Sequence, residues 1–157
     1  MLSFVRIVVP LILLHTVRLF CFSQENKTVQ WQFKAHFVTK DEAMLVITAT
    51  VHPGWHLYSQ DIKEGGPMPT RFTFDQTTDF LLLGGTQEKG KSFSYHDEAY
   101  EMEITWYSGT VTFSQKIKIL RPSTISGSVE YMTCNDHTCI PGKQKFSFAN
   151  SLPREIQ

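Results

Sequence analysis

Residues 44–51, Met-Leu-Val-Ile-Thr-Ala-Thr-Val, form one of the most regular stretches of the chain. Their alternation places Leu45, Ile47, Ala49 and Val51 on one face and threonines on the other. Residues 110–119 repeat the pattern, and the inward side chains predicted there are Phe113, Ile117 and Ile119. A period of two over this length is typical of a strand with one buried face, so both segments are predicted to be β-strands packed against a core.

Most of the remaining chain shows the same kind of pattern. Shorter apolar alternations occur in three further places: Trp31, Phe33, Ala35 and Phe37; Phe72 and Phe74; Phe146 and Phe148. Glycine and proline mark the predicted turns, and no stretch keeps a helical period. Short strands spaced by turns favour an all-β fold, namely an immunoglobulin-like antiparallel β-sandwich, and large aromatic residues usually serve its core. The tryptophans assigned to that core are Trp31, Trp55 and Trp106.

The first 23 residues have the organisation of a secretory signal peptide. A basic start ending at Arg6 precedes an apolar run over residues 7–17, which is shorter than the ~20 apolar residues needed to cross a bilayer. Cleavage after Ser23 is expected, whereas lipidation at Cys21 is disfavoured because Phe20 stands where a small residue is required. We therefore interpret residues 1–23 as a signal peptide and residues 24–157 as a single exported domain.

The composition of this predicted domain excludes several classes of function. Residues 24–157 carry 13 basic and 15 acidic side chains, with no basic stripe for nucleic acid and no polybasic patch for a membrane surface. They also contain no second apolar run long enough to cross a membrane. We therefore expect a soluble, monomeric, exported protein without a nucleic-acid partner.

Residues 85–92, Gly-Thr-Gln-Glu-Lys-Gly-Lys-Ser, match the phosphate-loop pattern G-x-x-x-x-G-K-S letter for letter. A working phosphate loop needs a helix directly after it, because the N-terminal amides of that helix face the phosphates. Here Phe93-Ser94-Tyr95 follows and alternates like a strand. We therefore interpret the match as coincidental, predict a polar hairpin turn in its place and expect no nucleotide partner.

Cleavage would leave two cysteines, Cys134 and Cys139, in a compartment where disulfides persist. A disulfide needs Cα atoms within about 7 Å, so the chain between them has to turn back. Asn135-Asp136 tolerates such a turn, and a hairpin with one cysteine on each arm is predicted. Closing so short a loop stabilises a fold by only about 2 kcal/mol, which favours an exchangeable redox disulfide over a purely structural one.

Two other interpretations of the cysteines stay open at this point. The pair could form a structural disulfide in a non-catalytic, immunoglobulin-like binding module, because small structural loops of this kind exist. Alternatively Cys134, His137 and Cys139 could bind zinc or copper, with His96 or His56 as a fourth ligand. A second ligand pair at a recognisable spacing is absent from the sequence, which makes the metal interpretation the weaker one.

Together with the cysteines, several ordered segments resemble the N-terminal periplasmic domain of the thiol:disulfide interchange protein DsbD. The resemblance runs from about Trp31 to Phe148, nearly the whole predicted mature chain, and its last segment is the most specific. The segments are Gly54-Trp55-His56-Leu57-Tyr58-Ser59, Gly66-Pro67-Met68-Pro69-Thr70, Asp97-Glu98 with Tyr100, and the block from Gly127 through Cys134 to Cys139-Ile140-Pro141.

This resemblance implies a fold, a reaction and roles for particular residues. It implies an immunoglobulin-like sandwich with the cysteines on an inserted hairpin, acting in the periplasm as a thiol:disulfide oxidoreductase without a cofactor or a resident metal. Cys139 would form mixed disulfides with partner proteins, and Cys134 would resolve them. A cap loop would cover the pair and early-strand side chains would line it: the implied cap and lining residues are Asp97, Glu98, Tyr100, His56 and Tyr58.

The resemblance also implies partners, and the sequence departs from the family at certain positions. Thioredoxin-like redox proteins would be the partners. The 157 residues include neither a membrane electron conduit nor a thioredoxin domain, so a membrane electron donor is expected in trans. Ala99 stands where the cap usually has a bulky aromatic residue, and Gly142 stands where many relatives have a second proline. We therefore expect shielding by Tyr100 or a weaker cap.

Overall fold

The structure of the protein is a computed structural model that describes residues 28–149, and the predicted signal peptide lies outside these residues. The described residues form eight strands and no helix, which confirms the all-β prediction. This part of the chain accordingly has no helix that is long and apolar enough to cross a membrane. The strands are β1 (Val29–Phe37), β2 (Glu42–Val51), β3 (His56–Tyr58), β4 (Arg71–Phe74), β5 (Phe80–Asp97), β6 (Met102–Ile119), β7 (Thr124–Cys134) and β8 (Cys139–Ala149).

The strands pair antiparallel and join into one strongly curled sheet. In one half of the sheet β1, β2, β6 and β5 lie side by side in that order. In the other half β7 pairs with β8 on one side and with β3 and β4 on the other. The short strand β3 also pairs with the beginning of β6, so it joins the two halves, which pack against each other as the layers of a sandwich.

The main core lies between these layers and is built from the alternating residues of the central strands. Leu45, Ile47 and Ala49 of β2 and Phe113 of β6 are fully buried, which confirms the inward faces predicted for both strands. An aromatic layer from both halves surrounds Phe113, whose ring centroid lies 5.0 Å from that of Phe72. Each large apolar side chain buried here contributes about 1.5–3 kcal/mol, so the core rather than a short disulfide loop holds the fold together.

β5 and β6 continue beyond the end of β2 as a two-stranded arm, formed by residues 92–97 and 102–107. The ribbon bends at Gly109, whose φ of +67° lies in the left-handed region that favours glycine. The register of β5 shifts at the same level, between Gly90 and Ser92, which marks a bulge in the ladder. Beyond the bend, the arm lies beside β3, which in turn pairs with the end of β7 that carries Cys134.

Residues 85–92 lie within β5, so the polar hairpin turn predicted there is wrong. The strand passes through the segment with a register shift between Leu83 and Gln87. Gln115 fills this bulge: its buried side-chain amide donates to two carbonyl groups of β5, at 3.4 and 3.2 Å, and accepts from the Thr86 hydroxyl at 3.0 Å. Because strand rather than helix continues after the segment, the geometry of a phosphate loop is not formed.

Candidate functional site

The cysteines lie at the tip of the β7–β8 hairpin, where four residues reverse the chain. The Asn135 side chain accepts hydrogen bonds from the backbone N–H groups of His137 and Thr138, at 2.9 and 2.8 Å. The Asn135 N–H donates to the Thr138 carbonyl at 2.9 Å. Asparagine favours such a turn because its side-chain oxygen takes the place of a backbone acceptor. The turn sets Cys134 opposite Cys139, with Cα atoms 4.1 Å apart and a disulfide between them.

The two cysteines differ in their exposure to solvent. Cys134 is only 2% exposed, whereas Cys139 lies at the surface. A protein that approaches from solvent therefore meets Cys139 first. Because thiol–disulfide exchange requires direct access to the sulfur that is attacked, the arrangement allows a reaction to begin at Cys139 and protects Cys134.

Cys134 is buried by a second apolar cluster, here called the site cluster, which lies on the face of the sheet opposite the main core. Tyr58 and Ile104 are its other buried members. Neighbouring residues of a strand point to opposite faces, so Leu57 enters the main core while Tyr58 turns to the site. The partly buried residues that pack against the site cluster are Ile62, Met102, Trp106 and Met132.

His56 lies on β3 directly across from Cys134 on β7. Its imidazole packs against two aromatic rings, with centroids 4.7 Å from Trp106 and 5.4 Å from Tyr58. Burial lowers the pKa of His56 below its ordinary value of 6.5, while the negative charge of Asp136 acts in the opposite direction. The imidazole is therefore neutral at neutral pH, and both His56 and Tyr58 lie on the same face of the sheet as Cys134.

The turn at the tip of the arm, residues 97–101, is here called the cap turn. Asp97 shapes it, because the Asp97 carboxylate accepts hydrogen bonds from the backbone N–H groups of Ala99 and Tyr100, at 2.9 and 3.2 Å. The Tyr95 hydroxyl donates to the same carboxylate at 3.0 Å. Asp97 thus has a structural part in this turn, which the sequence alone did not indicate.

The cap turn reaches the site cluster through Tyr58. Burial raises the pKa of the Tyr58 hydroxyl, and the nearby Tyr100 and Asp97 raise it further. Tyr100 is 43% exposed, and Glu98 is exposed as well. The structure therefore brings Asp97 and Tyr100 beside Tyr58, one side chain away from Cys134, and leaves Glu98 at the surface.

Two aromatic residues at the site were not among those predicted for it. Trp106 contacts His56, and Phe93 stacks on its indole with centroids 4.5 Å apart and ring planes at 18°. Trp106, assigned to the core from sequence, packs against the site cluster rather than the main core. Its adjacency to Tyr107 was the available signal, because neighbours on a strand face opposite sides and only one of them can enter the main core.

An open groove of about 660 Å³ runs along the arm beside the hairpin tip. Asp136, which belongs to the turn between the cysteines, is part of its wall, so the groove opens next to the disulfide. Aromatic walls with a few polar groups are typical of binding grooves. The residues that line it are Gly54, Trp55, His56, Phe93, Ser94, Tyr95, Trp106, Ser108 and Asp136.

Replacing Asp97 by alanine is expected to lower stability at neutral pH and to weaken its dependence on pH. Burial opposes the charged form of Asp97, but hydrogen bonds from Tyr95, Tyr100 and Ala99 outweigh it and hold its pKa below the ordinary 3.8. A carboxyl group with a lower pKa in the folded state stabilises the fold above its unfolded pKa, and this contribution is lost as pH falls through the folded pKa. Urea midpoints near pH 7 and near pH 2 should therefore differ less in Asp97→Ala than in the wild type.

The neighbouring exposed carboxylate provides the matched control for this measurement. Glu98→Ala removes one acidic side chain from the same turn without removing the hydrogen bonds that Asp97 accepts. It should keep the wild-type midpoints at both pH values. A wild-type pH dependence in Asp97→Ala would contradict the structural part assigned to Asp97.

The metal alternative would need several ligands to converge on one point. Within residues 28–149 no group of three or more histidine, cysteine, aspartate and glutamate side chains is arranged to hold a metal ion. Cys134 and Cys139 are joined to each other, and His137 is exposed on the turn. The geometry of the described residues therefore favours the disulfide interpretation of this pair.

Comparisons with known proteins extend these observations. Residues 23–151 match the family model described as thiol:disulfide interchange protein DsbD, N-terminal. The N-terminal periplasmic domain of ScsB from Proteus mirabilis has a TM-score of 0.60 and 16% identity, covering 80% of this chain and 48% of that one. The N-terminal domain of Neisseria meningitidis DsbD in its reduced form has a TM-score of 0.51 and 13% identity, covering 78% of this chain and 86% of that one. No curated protein sequence matches the chain.

The two kinds of likeness support different conclusions. The chain spans about half the length of the ScsB domain. Because the sequence identities are only 16% and 13%, the two structures show a shared fold and nothing about function. They confirm the immunoglobulin-like sandwich. The family match covers both cysteines, the cap turn and β3, and it extends over most of the chain. The chain therefore belongs to the family of the N-terminal domain of the thiol:disulfide interchange protein DsbD.

Proposed function

We propose that the protein exchanges thiols and disulfides with thioredoxin-like proteins and passes two electrons at a time through Cys134 and Cys139. The observation that carries this proposal is the unequal exposure of the paired cysteines, with Cys139 at the surface and Cys134 2% exposed. An exchange pair needs one accessible sulfur that forms a mixed disulfide with the partner. It also needs a second sulfur, held next to the first, that resolves the mixed disulfide.

When electrons pass from this protein to its partner, the reaction starts from the free thiols of Cys134 and Cys139. The Cys139 thiolate attacks one sulfur of the partner's disulfide, a mixed disulfide forms, and the partner's other sulfur leaves as a thiolate. Cys134 then loses its proton and attacks the Cys139 sulfur, and the partner's remaining sulfur leaves. The Cys134–Cys139 disulfide is formed, the partner's disulfide is reduced, and two electrons have moved. The reverse sequence reduces this protein.

The surroundings of the pair keep it unreactive until a partner is bound. Burial in the site cluster disfavours the thiolate of Cys134, and the nearby carboxylate of Asp136 does the same for both thiols. The carboxylates of the cap turn, Asp97 and Glu98, add to this effect. A partner that docks on the exposed Cys139 displaces the cap turn and with it the influence of these carboxylates.

The partners and the compartment complete the proposal. A membrane electron donor in trans supplies the electrons, and thioredoxin-like proteins exchange them with the Cys134–Cys139 pair and accept them at the end. The reaction takes place in the periplasm, where disulfides persist. The family match supports this assignment, and so does a site that contains one disulfide beside an aromatic groove.

The reduction potential of the Cys134–Cys139 pair tests the proposal. The protein is equilibrated with thiol buffers of known potential, its free thiols are alkylated, and the two forms are counted by mass. We expect a potential between about −180 and −270 mV, the range of known exchange proteins. A potential below about −300 mV would mark a structural disulfide that the thiol pool does not reduce. The protein would then be an immunoglobulin-like binding module.

A further inference from the structure

The strand register places a histidine beside the cysteine that is hidden from solvent. His56 on β3 is directly across from Cys134 on β7, and residues paired in this way point to the same face with Cβ atoms about 4.5–5.5 Å apart. The Trp106 ring at 4.7 Å and the Tyr58 ring at 5.4 Å hold the imidazole in place. The strand pairing therefore places the imidazole and the Cys134 side chain next to each other on one face of the sheet.

Water has little access to this sulfur, so its proton needs another acceptor. Cys134 is 2% exposed, and the polar groups of the other site-cluster residues are the Tyr58 hydroxyl and the Trp106 indole N–H, a donor that accepts no proton. Burial keeps Tyr58 protonated by raising its pKa, and burial together with the hydrogen bond to Asp97 raises the pKa of Tyr95 to about 12. Asp136 faces His56 from the exposed turn. Of the titratable groups around Cys134, His56 has the proton affinity suited to neutral pH.

We propose that His56 is the general base of the resolving step: it accepts the thiol proton of Cys134 as Cys134 attacks the mixed disulfide on Cys139. This inference rests on the proposed function and assigns a proton acceptor to that reaction. In the step, the Cys134 S–H bond breaks and its proton moves to the neutral imidazole. The Cys134–Cys139 bond forms, and the partner's sulfur leaves with the electron pair of the mixed disulfide. In the reverse direction the protonated imidazole returns the proton to Cys134 as that sulfur leaves.

The electrostatic surroundings of His56 suit a general base. Burial lowers its pKa, so the ring is neutral and free to accept a proton near neutral pH. Asp136 acts against that lowering and stabilises the imidazolium that proton transfer creates. Burial and the charge of Asp136 are thus the two influences on the pKa of this ring.

The resolving step can be observed separately with dithiobis(nitrobenzoate), an aromatic disulfide that releases a coloured thiolate. Attack by Cys139 on the reagent releases one coloured thiolate, and attack by Cys134 on the resulting mixed disulfide releases a second. Reagent is supplied at a concentration at which the first release is complete before the second. The reduced protein without its predicted signal peptide, residues 24–157, is compared with His56→Phe, which keeps an aromatic ring but has no nitrogen, and with His56→Gln. His137→Gln, at an exposed position of the same hairpin, is the matched control.

We expect the second release near pH 7 to be about 10²-fold slower in both His56 variants and unchanged in His137→Gln, with the first release the same in all four proteins. In the wild type, the second rate should rise through an ionisation below pH 6.5 and then level off. In His56→Phe it should rise only through a thiol ionisation above about pH 8.5.

Two results would overturn the inference: equal second rates in the wild type and both His56 variants, or a wild-type second rate that rises only through the thiol ionisation. The pH dependence of the wild-type rate is measured without any variant, so it tests the inference even if the substitutions disturb folding. A failure of the proposed function would be seen in a different measurement. The reduction potential of the Cys134–Cys139 pair would then lie below about −300 mV, whatever the two release rates are.

Discussion

Cys134→Ala is expected to accumulate a stable mixed disulfide with a thioredoxin-like partner, and Cys139→Ala is expected to form none. The reason is the position of the two sulfurs: Cys139 is exposed at the hairpin tip, and Cys134 is 2% exposed within the site cluster. Without Cys134 the first attack proceeds and the resolving attack does not, so the intermediate remains. Multiple-turnover exchange should be lost completely in both variants.

The two variants are controls for each other. Each removes one sulfur and the same disulfide, so each should lose a similar stabilisation of about 2 kcal/mol. Any difference in trapping then reflects the sulfur that remains rather than the stability of the fold. The measurement is the mass of the adduct after incubation with an oxidised thioredoxin-like protein, under conditions that preserve disulfides. An adduct through Cys134 in Cys139→Ala would reverse the roles proposed for the two cysteines.

The fold was predictable because its central strands obey one simple rule. The apolar face of β2, with Leu45, Ile47 and Ala49 all fully buried, follows from a period of two in the sequence. Such a pattern depends only on residues that are close together in the chain. The hairpin that carries the cysteines was predictable for the same reason, because the Asn135 turn is local.

The features that escaped prediction depend on contacts between distant segments. Gly84-Gly85 has the composition of a turn, yet β5 continues through it because Gln115 on the neighbouring strand fills the bulge with its side-chain amide. The position of Trp106 beside His56 depends on the pairing of β3 with β6. Periodicity shows which residues share a face of their own strand. It does not show which strand lies next to it.

Gly142, where the resemblance implied a proline, is explained by a contact across the β7–β8 hairpin. It pairs with Tyr131 across the hairpin, and the tyrosine ring lies over it, so that a Cβ at Gly142 would clash with the ring. Tyr131 packs in turn on Trp31, with centroids 5.2 Å apart. A proline at this position would displace the Tyr131 ring. The Tyr131 ring thus occupies the space that a side chain at position 142 would need.

The main core and the site cluster lie on opposite faces of the same sheet, and this separation leads to the second large prediction. Phe113→Ala is expected to destabilise the fold by about 3–5 kcal/mol, because Phe113 is fully buried and packs against Phe72 and Trp31. The urea midpoint should fall by roughly 2 M. Well below that midpoint, the reduction potential should remain that of the wild type, because the substituted residue is not part of the site cluster.

Phe93→Ala makes the same chemical change on the other face, and it should alter the site with only a small loss of stability. Phe93 is 37% exposed and stacks on Trp106, so its loss should cost less than about 1.5 kcal/mol of stability. It lines the groove together with His56, and removing it opens that groove to water. The pKa of His56, followed by NMR titration, should therefore rise toward 6.5 in Phe93→Ala and stay low in Phe113→Ala. If Phe113→Ala shifted the His56 pKa as much as Phe93→Ala, the two faces would be coupled and the separation of core from site would be wrong.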